Sequence, residues 1–139
     1  MSQETMQRVR QIYEGWAAGD FRVSVADLDR NVVFVVGPDF PDSGAFHGID
    51  GVTDWMRRFL EQWERVTIEA KHLQAVGDTV LAHIVQHSTG RASGIEGDLW
   101  YFMLFTFRGA KIIRIETIMH EGEALEAVGL SEQDAHADS

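Results

Sequence analysis

Apolar residues recur at helical spacing near the start of the chain. Met6, Val9, Ile12, Tyr13 and Trp16 share one face and predict a helix over residues 5–18. Gly19 closes it, and Asp20 restarts the chain. Val23, Val25, Ala26 and Leu28 mark the apolar side of a short second helix. Residues 31–36 are β-branched and continuously apolar, which predicts a buried strand. Residues 37–44 hold both prolines of the chain and predict a loop. A short strand is expected around His47, and Gly48 to Val52 opens a third helix. Its stripe is Val52, Trp55, Phe59, Leu60 and Trp63.

From Val66 onward the pattern changes to alternation. Strands are expected at about 66–76, 79–90, 97–108 and 111–120, with tight turns at Gly77-Asp78 and near Gly109-Ala110. Residues 122–129 read as a short terminal helix and 131–139 as a frayed acidic tail. The strand at 97–108 is apolar on both faces. Tyr101, Met103, Phe105 and Phe107 point one way, and Trp100, Phe102 and Leu104 the other. If helices cover only one side of such a sheet, the other side is expected to meet a second copy of the chain.

Helices first and strands afterwards, in 139 residues without repeat or linker, predict one α+β domain. The chain has no cysteine, which removes disulfides, zinc-thiolate sites and thiol nucleophiles from consideration. The 22 acidic residues outnumber the 12 basic ones and leave a net charge of −10, so a phosphate backbone is a poor partner. No apolar run approaches the ~20 residues of a membrane span, and the first residues lack the core of a signal peptide. The expected location is cytoplasmic. Phosphate-binding glycine loops and a Gly-x-Ser-x-Gly elbow are both missing, which makes nucleotide and serine-hydrolase chemistry poor readings.

Four stretches carry a family resemblance. They are Trp16-Ala-Ala-Gly-Asp20, His47-Gly-Ile-Asp-Gly-Val52, Arg91-Ala-Ser-Gly94 and Glu123-Ala-Leu-Glu-Ala-Val-Gly-Leu130. In this order they resemble the SnoaL-like domains of the nuclear transport factor 2 superfamily, relatives of ketosteroid isomerase and polyketide cyclases. The resemblance covers nearly the whole chain. It implies a cone-like α+β barrel, a curved mixed or antiparallel sheet wrapped around helices and enclosing a pocket for a small hydrophobic molecule. It does not imply one reaction, because the superfamily includes isomerases, cyclases, dehydratases, epoxide hydrolases and binders. Where ketosteroid isomerase has its tyrosine donor and its two aspartates, this chain has Ile12, Val35 and Met103. That proton transfer is therefore unsupported, as is the Asp-Arg-Asp set of limonene epoxide hydrolase.

The remaining polar signal is His83 and His87. On a strand they share a face and stand about 13 Å apart, too far to ligate one metal. The resemblance makes the face of Leu81, His83, Val85 and His87 the concave one. There the two imidazoles could act as acid or base on a ring compound, with Asp98 orienting one of them. Arg91 and Ser93 could contact a ligand oxygen, or simply belong to a glycine-flanked hairpin loop. By the same resemblance the ligand-lining residues are Tyr13, Trp16, Val35, His47, Trp55, Phe59, Tyr101, Met103, Thr117 and Met119. No cofactor or metal is expected. Two functional readings stand: a cofactor-free isomerase, cyclase or dehydratase using His83 and His87, and a binder, sensor or dimeric scaffold using the same pocket without turnover.

Overall fold

A computed structural model describes residues 2–129; of Ser2, Val23 and Ser24 only the backbone is described. The expected tail at 131–139 lies outside the described residues. The order is α1 (Ser2–Ala17), a 3-10 helix (Arg22–Asp27), β1 (Leu28–Val36), β2 (Gly44–His47), α2 (Gly48–Glu61), β3 (Trp63–Val76), β4 (Thr79–Gly90), β5 (Glu96–Arg108), β6 (Lys111–Ile118) and α3 (Glu121–Ala127). The six strands form one open sheet in the order β2-β1-β6-β5-β4-β3. Only β1 and β6 run parallel; the other neighbours are antiparallel. The α+β cone is as expected, although the sheet keeps two free edges and does not close into a barrel.

The hairpins fall where glycine permits them. Gly77 and Gly109 both take φ of +60°, a region that a Cβ disfavours. Three local expectations are corrected. The second helix is 3-10, and Leu28 belongs to β1. Trp63 starts β3 instead of extending the α2 stripe, since α2 ends at Glu61. Residues 31–36 are not buried throughout: Val32, Phe34 and Val36 face the core, whereas Val33 and Val35 are half-buried on the opposite face. A continuous β-branched run conceals this alternation, because Val suits either side of a sheet.

The main core fills the inner side of the sheet. Val9, Ile12, Tyr13 and Trp16 from α1 pack with Val80, Ala82 and Ile84 of β4 and Tyr101, Met103 and Phe105 of β5. Phe105 is fully buried, with the Tyr13 ring edge-on at 5.8 Å. A second cluster lies on the outer side, where Ala124 and Leu125 of α3 cover Leu81, Phe102 and Leu104. Helices therefore cover both faces in part. Among the described residues, Trp100 is the large apolar side chain left exposed on the outer face, at 48%. No helix of the described residues is long and apolar enough to cross a membrane.

Candidate functional site

The alternation of β4 divides its polar residues between two environments. Val80, Ala82, Ile84 and Gln86 point inward; Leu81, His83, Val85 and His87 point outward. The concave assignment of His83 and His87 is thus corrected: both imidazoles lie on the outer face. Strand pairing decides this, because Ile84 is opposite Tyr101 and Ala82 opposite Met103, the residues on which α1 packs.

Each outer histidine has a structural employment. The His83 ring stacks on Phe102 at 4.4 Å and 7°, with Trp100 at 5.2 Å. Partial burial lowers its pKa, opposed by the nearby charge of Glu121 and assisted by His72. His87 lies between two carboxylates, with Nδ1 2.7 Å from Asp98 and Nε2 2.7 Å from Glu69. Ionised carboxylates only accept, so this geometry calls for both ring nitrogens to donate, as they do in the imidazolium. The bond to Asp98, then that to Glu69, raises the His87 pKa. Glu69 is in turn lowered, first by Lys71 and then by His87. The expected His87–Asp98 pair does form, as a cross-strand tie on the outer face.

The inner face holds a cavity of about 460 Å³. Trp55 and Phe59 of α2, stacked at 5.1 Å and 12°, make one wall, continued by Gln62 and Trp63. Phe40, Pro41 and Asp42 of the proline loop make another. The floor is sheet: Val36 of β1, Gln86 of β4, Tyr101 of β5 and Thr117 of β6. Ser93, Ile95, Gly97 and Leu99 close the remaining side.

The proline loop is held close to the floor. The Gly37 N–H donates to the Thr117 carbonyl at 3.1 Å, and the Phe40 ring meets Tyr101 edge-on at 5.2 Å. A Cβ at Gly37 would stand 2.8 Å from that carbonyl oxygen, so the close approach requires glycine. At the rim, Gln62 Nε2 donates to Asp42 at 3.2 Å.

Polar side chains, Ser88 among them, are interspersed with the aromatic ones in the lining. Tyr101 donates its hydroxyl to Gln86 Oε1 at 2.8 Å, and burial pushes the Tyr101 pKa up. Gln86 is only 4% exposed, and its Oε1 carries the bond to Tyr101. The Thr117 hydroxyl and the Trp63 indole N–H are buried without a partner. Lys, Arg and His are missing from the lining, and its two acids are Asp42 and Asp98.

Of the expected ligand-lining residues, Trp55, Phe59, Tyr101 and Thr117 line this cavity. Tyr13, Trp16 and Met103 are packed in the solid core, and Met119 packs against it. Val35 faces outward, and its neighbour Val36 lines the cavity. His47 precedes α2 as its exposed N-cap, without a side-chain capping bond. Arg91 donates to the carbonyls of Glu61 and Trp63, a structural tie, whereas Ser93 does line the cavity. Gln86 is among the wall residues that sequence reasoning missed. A single polar side chain in the register of Val80, Ala82 and Ile84 was the available signal.

A larger groove, about 1060 Å³, runs between the turn after α1, α2 and β3. It is more open, and its charged residues largely pair with their neighbours: Arg22 with Asp20, and Arg57 with Glu61. The inner cavity has the aromatic walls and the unpartnered donors, and it is the better candidate.

Fold and cavity together define an α+β cone with an aromatic-walled internal cavity. The model of the SnoaL-like domain family matches residues 9–115, and the chain belongs to that family. Several solved structures share the fold. An NTF2-like protein of unknown function from Burkholderia pseudomallei is 18% identical, with a TM-score of 0.74 over 91% of this chain and 98% of that one. A putative SnoaL-like polyketide cyclase from Jannaschia sp. is 14% identical, with a TM-score of 0.74 over 84% and 85%. TerC, co-crystallised with polyporic acid, is 16% identical, with a TM-score of 0.72 over 90% and 98%. No protein of curated function matches the chain.

Proposed function

We propose that this protein binds a flat, mostly apolar small molecule in the inner cavity and holds it without chemical change. The observation that carries this reading is the pairing of a stacked Trp55–Phe59 wall with a sheet floor. That floor has no carboxylate or imidazole. Ring faces and a volume of about 460 Å³ suit one aromatic or polycyclic ligand. Acid–base catalysis by His83 and His87 is not part of the reading, because their rings lie across the sheet from the cavity. Tyr101, whose hydroxyl is committed to Gln86 and whose pKa is raised, keeps its proton at neutral pH.

The test is thermal stabilisation by a naphthalene probe in the wild type and in a plugged variant. Gly97 lines the cavity, and a Cβ there would meet nothing within 4 Å, so Gly97→Phe fills the space without backbone strain. Saturating 2-ethylnaphthalene should raise the Tm of the wild type and leave that of Gly97→Phe unchanged. Equal stabilisation of both would refute the assignment.

We also propose that the outer face pairs with a second copy around Trp100. An indole half-exposed beside His83, on a sheet side that α3 covers only in part, supports this. Sedimentation at micromolar concentration should give a dimer for the wild type and a monomer for Trp100→Glu. A monomeric wild type would end the proposal.

A further inference from the structure

Resting on that assignment of the cavity, the donor inventory and the charge of its wall narrow the ligand further. Two wall residues carry buried donors without partners, the Thr117 hydroxyl and the Trp63 indole, and a third, Gln86, is bonded through Oε1 to Tyr101. Gln86 Oε1 accepts from the Tyr101 hydroxyl, which fixes the orientation of the amide. A buried donor left unpaired costs about 1–3 kcal/mol, which an incoming acceptor recovers. These three residues come from β4, β6 and the start of β3, so the acceptor they favour lies toward the sheet floor.

Charge sets the second limit. No cation lines the cavity, and its acids are Asp42 at the rim and Asp98, whose carboxylate is turned to His87. A carboxylate ligand would lose its hydration without gaining a counter-charge. It would also approach a chain of net charge −10. We infer that the site selects uncharged ring compounds presenting a carbonyl-type oxygen to Gln86, and rejects their carboxylate analogues.

Four naphthalenes of similar size test this by calorimetric titration. They are 2-acetonaphthone (neutral acceptor), 2-ethylnaphthalene (no acceptor), 2-naphthoate (anion) and 2-naphthylmethylammonium (cation). The ketone should bind about tenfold tighter than the hydrocarbon, as one recovered hydrogen bond of ~1.4 kcal/mol implies. It should exceed naphthoate by more. Gln86→Leu should cancel the ketone's advantage while hydrocarbon binding persists. Because that variant strands the Tyr101 hydroxyl, Gln86→Glu serves as a second: it keeps an acceptor for Tyr101, and it should reverse the order so that the ammonium probe outbinds the ketone.

Naphthoate or the ammonium probe binding the wild type as tightly as the ketone would overturn the inference. So would a ketone no tighter than the hydrocarbon. If the hydrocarbon itself fails to bind, the cavity assignment falls, and this inference with it. Hydrocarbon binding without ketone preference removes only the inference.

Discussion

The two faces of β4 make an instructive pair. Outward, His83 and His87 are the more conspicuous residues, yet one is stacked on Phe102 and the other is held by two carboxylates. Inward, Gln86 is a single amide among apolar neighbours, and it sits on the floor of the aromatic cavity. Reactive chemistry in a side chain does not by itself mark a site. A buried polar group without a partner beside a cavity, such as the Thr117 hydroxyl, is the better guide, since folding alone gives no return for burying it.

The contrast can be broken most forcefully in the core. Phe105→Ala, at a fully buried inner position, should cost about 3–5 kcal/mol by urea denaturation. Trp100→Ala, opposite Val85 on the outer face, should cost about 1 kcal/mol or less in the monomer. Comparable losses would mean that the two faces are not core and surface.

A smaller effect is expected where the loop meets the floor. Gly37→Ala places a methyl 2.8 Å from a backbone oxygen and should cost about 1–3 kcal/mol. It should weaken binding of the naphthalene probes as well, because Phe40 and Pro41 shift with the loop. Full stability in this variant would mean that the loop is not held as described.

His87 should contribute a modest stability that depends on pH. Its pKa is raised on folding, so the stabilisation is complete below the unfolded value of about 6.5 and disappears as pH rises through the folded value. The Tm deficit of His87→Gln should therefore be larger at pH 6 than at pH 9. A deficit that grows toward alkaline pH would contradict the imidazolium tie. The smallest effect belongs to His83→Ala, which should leave affinity for the naphthalene probes unchanged. A clear loss of affinity would return the histidines to the site.

Element type and order were legible in the sequence, because the period changes cleanly from that of helix to that of strand after α2. The strand at 79–90 and the turns at Gly77 and Gly109 needed only alternation and glycine. Which face of β4 is inside was not legible. Val80, Ala82 and Ile84 are as apolar as Leu81 and Val85, and the decision comes from pairing with β5 and from α1, about seventy residues earlier in the chain. The same distance obscured half of the cavity wall. Phe40 and Ile95 stand on separate loops, and only the folded sheet brings them to one chamber. Trp16 and Tyr13 were misplaced for a related reason: a helical aromatic stripe does not reveal whether it borders a void or fills one.

Amide and indole chemical-shift mapping during titration with 2-acetonaphthone probes the central assignment directly. The account predicts the largest changes at Gln86, Tyr101, Thr117 and the Trp63 indole, with little at His83 or Trp100. Changes concentrated on the outer face, at His83, His87 and Trp100, would contradict it.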